Sequence, residues 1–163
     1  MNTEHKSNTP ADIKDCWQTP KFVFDYYNNR HNFVRDVAAS KENKLCDHYY
    51  TEKHNALRRN WSYVNWCNPP YSNIMPWVSK AIHEMHLGRK TVMLIPADTS
   101  VKWFKLAFEN CSRCDFISGR LAFIYAETQK PVSGNNKGSV VFTFEPNTNK
   151  RQTVSLIDRD SMK

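Results

Sequence analysis

Glycine is scarce in this sequence: its 163 residues include only four, at positions 88, 119, 134 and 138. No GxGxxG or Walker A pattern is therefore present, which excludes the phosphate-binding loops that these motifs mark. Long apolar runs are also missing, and a transmembrane helix, which needs about 20 apolar residues, is excluded. The polar stretch 1–15 has no apolar centre, so we expect neither a signal peptide nor a membrane partner.

Metal-binding patterns are equally weak. The five cysteines are an odd number and contain one CxxC pair, Cys111 and Cys114, without a second pair to complete a four-ligand zinc site. His83 and His86 lie three residues apart, with no third ligand in a suitable position. We therefore expect no metal. The cysteines are interpreted as reduced thiols, which places the protein in the cytoplasm.

Charge and aromatic content are the positive features of the composition. Lysine and arginine number 23 against 16 aspartates and glutamates, which gives a net charge of +7 and points to an anionic partner such as nucleic acid. Aromatic residues make up 13% of the chain, too many for a disordered protein. The length predicts a single domain over 1–163, in which 1–14 and 147–163 are mobile or peripheral.

Strand-like and helix-like segments alternate along the chain. Helices are predicted with N-caps at Thr19, which precedes Pro20, at Thr51 and at Ser100. A further helix is predicted over 74–86, with an apolar stripe along one face and Gly88 at its end. Strands are predicted at 32–38, 49–50, 63–67, 91–96, 116–117, 121–125 and 139–144. This alternation predicts an α/β sandwich with a mostly parallel sheet. The last two strands have no helix between them, so we expect an antiparallel hairpin at the C-terminal edge. Ligands of such sheets bind beyond the carboxyl ends of the strands, here the loops after Ala38, Cys67 and Pro96.

The tetrapeptide Asn68-Pro69-Pro70-Tyr71 follows the strand 63–67 and carries the clearest chemistry. The lone pair of an aromatic exocyclic amine is delocalised and therefore a poor nucleophile. Two acceptors, the Asn68 side-chain carbonyl and the backbone carbonyl of Pro69, would favour a tetrahedral, nucleophilic nitrogen. Pro69 has no N–H and stiffens the loop, while the ring of Tyr71 can stack on a flat substrate. This pattern suits methylation of a planar amine.

At these residues the chain resembles the small phage-type DNA adenine-N6 methyltransferases, over about residues 15–145. The resemblance is carried by 15–20 (DCWQTP), 36–40 (DVAAS) with Asn43, 68–72 (NPPYS) with Trp77, 93–99 (MLIPADT) with 102–104 (KWF), Gly119-Arg120 with Phe123, and 131–138. It implies a Rossmann-like fold, S-adenosylmethionine as the methyl donor, and adenine in double-stranded DNA as the acceptor. No obligate protein partner is evident.

The resemblance also implies roles for individual residues. Asn68, Pro69, Pro70 and Tyr71 would form the catalytic loop, and the donor would be bound by Thr19, Pro20, Asp36, Ala38, Ser40, Asn43 and Glu52. Broader methyltransferases have a GxG in the first loop, whereas this chain has Ala38-Ala39-Ser40, whose small side chains would serve instead. Asp47 and Glu52 are both candidates for the ribose hydroxyls.

DNA contacts are expected from the chain's own loops. The segment 128–139 joins the last two predicted strands and is rich in Gly, Asn and Lys. Lys130 and Lys137 are predicted to contact phosphates, and Asn135 and Asn136 to read base edges. Arg120, directly after Gly119, is predicted to contact phosphate or the displaced base.

Two alternatives remain open from the sequence. The same tetrapeptide occurs in enzymes that methylate guanine in ribosomal RNA or a glutamine side chain in a protein, although this chain has no separate recruiting domain for either. The other alternative is a catalytically inactive DNA-binding module, suggested by the absence of glycine from the first loop. Donor binding measured by calorimetry would distinguish an enzyme from such a module.

Overall fold

The computed structural model describes residues 17–125, 127–131, 137–149 and 151–163. Its strands are β1 (Trp17–Gln18), β2 (Arg35–Asp36), β3 (His48–Tyr49), β4 (Val64–Cys67), β5 (Lys90–Pro96), β6 (Arg113–Ser118), β7 (Ile124–Tyr125), β8 (Ser139–Phe144) and β9 (Thr153–Asp158). Its α-helices are α1 (Lys21–His31), α2 (Met75–His86) and α3 (Lys102–Asn110), and 3₁₀ turns occupy Glu52–His54, Ala56–Arg58 and Arg159–Met162.

The ends of α2 follow directly from its sequence. Pro76 lies in the first turn, where its missing N–H removes no helical hydrogen bond. Past the other end, Gly88 adopts a φ of 86° and donates its N–H to the carbonyl of Met85. Glycine reaches this left-handed conformation without steric cost, so it stops the helix where the sequence predicts.

The starts of α1 and α3 differ from the prediction. Thr19 was expected to cap α1, but the residue before the helix is Pro20 and no side chain caps it. Ser100 was expected to cap α3, yet that helix begins at Lys102, and Ser100 donates both its N–H and its hydroxyl to Asp98. Each hydroxyl bonds to another group instead of to the helix: Ser100 to the carboxylate of Asp98, and Thr19 to the side chain of Asn68.

Seven strands form the main sheet in the order β3-β2-β4-β5-β8-β6-β9. β3, β2, β4 and β5 are parallel to one another, and β9 is parallel to β6. β8 is antiparallel to both β5 and β6, so β5 and β6 point the same way. All strands of this sheet except β8 therefore end at the same edge, and the predicted mostly parallel α/β sheet is confirmed.

The predicted hairpin at the C-terminal edge was wrong. β8 lies inside the sheet between β5 and β6, and the edge position belongs to β9. Of the predicted strand 121–125, only β7 is extended, and it pairs with β1 in a separate two-stranded sheet. All six residues of β8 are buried, as expected for a strand covered on both faces and flanked on both sides.

The sheet is covered on both faces, which gives three layers. On one face, α2 and α3 bury Val78, Ala81, Phe104 and Ala107 against β5 and β8. On the other face, α1 buries Val23, Phe24 and Tyr27 against Trp66 and Leu94. None of the helices in the described ranges is long and apolar enough to span a membrane.

Candidate active site

The carboxyl ends of the parallel strands bring the predicted loops to one edge of the sheet. The chain passes from β2 outward to β3, then returns to the other side of β2 to form β4. The strand order thus reverses between β2 and β4, and open α/β sheets bind ligands in a crevice at such a switch point. The loop after Asp36 and the loop beginning at Asn68 follow these two neighbouring strands, so we expect the crevice between them.

Asn68 comes directly after β4, and only one of the two polar atoms of its side-chain amide has a hydrogen-bond partner among the described residues. Its Nδ2 donates to Thr19 Oγ1 at 3.0 Å. Its Oδ1 is buried, and no hydrogen-bond partner for it lies among the described residues. A buried acceptor without a partner costs about 1–3 kcal/mol, so its presence here marks a place where a ligand donor is expected.

The two prolines behave differently within the loop. Pro69 is buried, whereas Pro70 is partly exposed and its carbonyl accepts from the N–H of Asn73 at 3.3 Å. The turn that leads into α2 therefore uses the carbonyl of Pro70. The carbonyl predicted from the sequence as an acceptor for the amine is that of Pro69, not that of Pro70.

Tyr71 lies against two other aromatic side chains. Trp17 stacks on Phe123 with ring centroids 5.6 Å apart, and the ring of Tyr71 stands nearly perpendicular to both, at 6.5 and 5.9 Å. We call Trp17, Tyr71 and Phe123 the aromatic cluster. The Tyr71 hydroxyl lies 3.4 Å from the carbonyl oxygen of Leu94, a long contact. Burial raises the pKa of Tyr71 well above its usual value, so the phenol keeps its proton.

Two more unsatisfied groups lie on β1 next to this cluster. Trp17 Nε1 and Gln18 Nε2 are buried, and neither has a hydrogen-bond partner within the described part of the chain. Gln18 is the neighbour of Thr19, which contacts Asn68. Unpaired buried groups are rare in folded proteins, and three of the eight in the described residues belong to Trp17, Gln18 and Asn68. A polar ligand bound here would provide partners for these three groups.

Asp36 ends β2 and organises the loop that follows. The side chain is 4% exposed, and its two carboxylate oxygens accept from the N–H groups of Ala38 at 3.3 Å and Leu45 at 3.1 Å. Burial raises the pKa of Asp36 to about 6, although the two hydrogen bonds oppose that shift. The carboxylate thus fixes the backbone of the first loop.

Ser40 and Asn43 form a reciprocal pair inside the same loop. The Ser40 N–H donates to Asn43 Oδ1 at 2.6 Å, and the Asn43 N–H donates to Ser40 Oγ at 3.1 Å. The Ala39 N–H donates to the carbonyl of Tyr50 at 2.9 Å, which joins the loop to the end of β3. The first loop is therefore shaped by side-chain hydrogen bonds where related folds use glycine.

Glu52 and Asp47 lie at opposite ends of β3. Asp47 immediately precedes the strand, whereas Glu52 follows it in a 3₁₀ turn and is exposed. Because β3 is parallel to β2, its carboxyl end faces the same edge as the first loop. Of the two candidates for the ribose hydroxyls, the position of Glu52 is therefore the more favourable.

The predicted DNA-contact residues have different environments. Arg120 and Lys130 are exposed. Lys137 Nζ lies 3.1 Å from Asp98 Oδ2, in the loop after β5, so this lysine has an acidic partner within the chain. Burial opposes ionisation of Asp98, but bonds from Ser100 and the Lys137 ammonium hold its pKa below the usual range. Asn135 and Asn136 lie outside the described residues.

Trp17, Gln18, Phe123 and Asp98 were not predicted as site residues. All four lie in stretches that carry the family resemblance, and this was the only feature of the sequence that could have indicated a role for them. The contacts of Trp17 and Phe123 with Tyr71 depend on long-range pairing such as Trp17 with Tyr125, which local patterns do not reveal. Within the described residues, no group of three or more His, Cys, Asp or Glu side chains could hold a metal ion.

Comparison with known proteins gives a consistent result. The chain matches the family described as DNA N-6-adenine-methyltransferase (Dam) over residues 6–163. It is 42% identical over 154 residues to the DNA N-6-adenine-methyltransferase of Escherichia phage T1, an alignment covering 83% of this chain and 65% of that relative. It is 38% identical over 146 residues to the protein of that name from Haemophilus phage HP1 (strain HP1c1), covering 86% of this chain and 84% of the relative. The chain belongs to the DNA N-6-adenine-methyltransferase family.

Proposed function

We propose that this protein transfers a methyl group from S-adenosylmethionine to the N6 amine of adenine in double-stranded DNA, in the cytoplasm of a bacterial host. The observation that carries the proposal is the buried, unpaired Oδ1 of Asn68 beside the switch point of the sheet. Family membership supplies the acceptor class, because the phage relatives are named for this activity. The Rossmann-like character of the fold is part of the same proposal and is supported by the strand order.

The reaction needs acceptors for the hydrogens of the amine. Asn68 Oδ1 and the carbonyl of Pro69 would take these two hydrogen bonds and so localise the lone pair on nitrogen. The donor, when bound, supplies an electrophilic methyl group on a sulfonium sulfur. As the nitrogen acquires the methyl group it becomes positively charged, and both carbonyl dipoles stabilise that charge. The methylated amine is then acidic enough to lose a proton to water, so no strong base is required.

The donor would bind at the crevice between β2 and β4. Asp36, Ser40 and Asn43 hold the first loop in shape, and the small side chain of Ala38 lets a ligand approach the backbone. Glu52 would accept hydrogen bonds from the ribose hydroxyls. Thr19 and Pro20, on the segment that contacts Asn68, would border the methionine end of the donor.

The target adenine must leave the base stack, because its amine is otherwise paired inside the duplex. The aromatic cluster beside Asn68 offers apolar ring surface to such a base. Arg120 and Lys130 would contact phosphates, and Asn135 and Asn136 would read base edges. Lys137 would contribute mainly by holding its loop to Asp98, since that ion pair competes with a phosphate.

Methyl transfer from labelled S-adenosylmethionine, offered with DNA, RNA and protein in separate reactions, tests this proposal. Label is expected in DNA alone, and digestion to nucleosides should place it on adenine. Label in RNA or protein would instead support a different planar-amine methyltransferase. Donor binding without transfer to any of the three, or no donor binding by calorimetry, would favour an inactive DNA-binding module.

Replacement of Asn68 tests the residue that carries the argument. Asn68→Ala removes one of two acceptors, and the loss of one such preorganised group lowers turnover on the order of 100- to 1000-fold. Donor affinity should change much less. Asn73→Ala is the matched control, because Asn73 lies in the same loop but is exposed. Near-normal turnover by Asn68→Ala would contradict the catalytic assignment.

A further inference from the structure

The side-chain hydroxyl of Thr19 makes a contact that helix capping does not explain. The residue is 5% exposed, and its Oγ1 accepts from Asn68 Nδ2 at 3.0 Å. The first turn of α1 has no side-chain cap, so this hydroxyl is not used by the helix. Among the described residues, this hydroxyl has its hydrogen bond with the side-chain amide of Asn68.

The chemistry of the reaction assigns a direction to this hydrogen bond. When the target amine occupies the site, Asn68 must present Oδ1 to the amine hydrogens. Its NH₂ group then faces Thr19, and the hydroxyl has to act as acceptor. A residue without an acceptor at position 19 would leave a buried NH₂ group unpaired, and the amide would lose its fixed orientation.

The backbone around Thr19 is well suited to hold the hydroxyl in place. The preceding residue, Gln18, pairs with Ile124 in the two-stranded sheet of β1 and β7. The following residue, Pro20, has φ fixed near −57° and leads directly into α1. Thr19 is therefore anchored on both sides, and both it and Asn68 follow directly from a strand.

We propose that Thr19 is a positioning residue that holds the Asn68 amide with Oδ1 turned toward the target amine. This role rests on the proposed methyl-transfer function and adds a second residue to its catalytic loop. The hydroxyl acts through Asn68, so its contribution exists only while that amide is present.

Thr19→Val keeps the branched shape and removes the hydroxyl, whereas Thr19→Ser keeps the hydroxyl and removes a methyl group. At saturating donor and DNA, we expect Thr19→Val to reduce kcat on the order of 10- to 100-fold, the effect of leaving one buried polar group unpaired. Thr19→Ser should retain most of the activity. A fall in kcat without a comparable rise in KM for the donor distinguishes positioning from donor binding.

The decisive measurement is a double-mutant cycle with Asn68. In an Asn68→Ala background, Thr19→Val should produce little further loss in single-turnover rate, because the group that it positions is gone. An undiminished further loss would overturn the proposal, as would equal loss of kcat in Thr19→Ser and Thr19→Val with both variants folded by circular dichroism. If the wild-type protein methylates DNA and Asn68→Ala does so on the order of 100- to 1000-fold more slowly, the proposed function stands whatever the cycle gives. If the wild-type protein methylates nothing, the proposed function fails, and this role fails with it.

Discussion

The ring of Tyr71 packs against two other aromatic rings, whereas its hydroxyl makes a long contact. The ring lies edge-on to Trp17 and Phe123, whereas the hydroxyl is 3.4 Å from the carbonyl oxygen of Leu94, long for an O–H···O bond. We therefore assign the functional contribution of this side chain to the ring.

Two substitutions at this residue separate the ring from the hydroxyl. Tyr71→Phe keeps the ring and should change kcat/KM on DNA by a few-fold at most. Tyr71→Ala should cost about 1–3 kcal/mol in transition-state stabilisation, the range for one base–aromatic stacking contact. Steady-state kinetics on a duplex with the target site measures both, and equal damage from the two changes would transfer the role to the hydroxyl.

Asp36 makes stability depend on pH in an unusual direction for a carboxylate. Burial raises its folded pKa to about 6 from the ordinary 3.8, so the folded state favours the protonated form. The resulting stabilisation of the folded state is fully present below pH 3.8 and is lost as pH rises through 6. Two pKa units correspond to about 3 kcal/mol in the free energy of unfolding.

Asp36→Asn is neutral at every pH and isolates this effect. The free energy of unfolding of Asp36→Asn minus that of the wild type should increase by about 2.5 kcal/mol between pH 4 and 7, measured by urea denaturation. Any fixed cost of placing an NH₂ group near the N–H of Leu45 cancels, since it does not vary with pH. Asp47→Asn, which removes an exposed carboxylate from the same loop, reports the effect of surface charge alone. A pH-independent difference for Asp36→Asn would contradict the raised pKa.

At the scale of elements, the sequence predicted local structure better than pairing. The stripe of α2, the stop at Gly88 and the buried strands β4 and β5 follow from periodicity and glycine conformation, and the structure confirms them. The partners of β8 do not follow from such rules, because β5 and β6 are separated from it by α3 or by a long loop. Short strands such as β1 and β7 carry no periodic signal, since each has two residues.

In the candidate site, too, local features were predicted from the sequence and long-range contacts were not. The tetrapeptide and the family resemblance predicted the catalytic loop and the first loop, and parallel strands place both at one edge of the sheet. The contact between Thr19 and Asn68 and the aromatic cluster depend on how β1 packs, which local patterns do not specify. The individual roles of the catalytic and binding residues stay predictions.

A buried polar network connects three elements away from the site. The Tyr27 hydroxyl on α1 donates to Asp115 Oδ2 on β6 at 3.0 Å, and Asp115 Oδ1 accepts from Arg113 and from Ser155 on β9. Asp115 is 1% exposed, so each of these bonds compensates for the burial of its charge. The edge strand β9 and helix α1 are thus joined through one carboxylate.

Removal of the Tyr27 hydroxyl should weaken this junction. Tyr27→Phe leaves Asp115 Oδ2 without its donor, and a hydrogen bond to a charged group contributes about 1.5–3 kcal/mol. Tyr26→Phe is the matched control, because Tyr26 is the neighbouring residue on α1 and is less buried. The free energy of unfolding from urea denaturation should fall for Tyr27→Phe and change little for Tyr26→Phe. Equal effects would show that Asp115 is satisfied without Tyr27.

For the molecule as a whole, the net positive charge is the property that bears on DNA binding. The chain spans 65% of the phage T1 relative's length, and its net charge is +7. Contacts with phosphates give affinity that is independent of sequence and depends steeply on salt. The exposed cations Arg120 and Lys130 are therefore expected to account for part of the binding, while Lys137 is engaged by Asp98.

DNA binding measured at several salt concentrations tests which of these cations contact phosphates. If Lys130 neutralises one phosphate, Lys130→Ala should weaken binding to target and scrambled duplexes alike, and the magnitude of the slope of log K against log salt should fall by about 0.9. Lys105→Ala is the control, because Lys105 is an exposed residue within α3 whose ion-pair partner is Glu109. It should leave the slope unchanged. Lys137→Ala should lower the melting temperature as well as the affinity, since it breaks the ion pair with Asp98. Identical slopes for wild type and Lys130→Ala would place the phosphate contacts elsewhere on the surface.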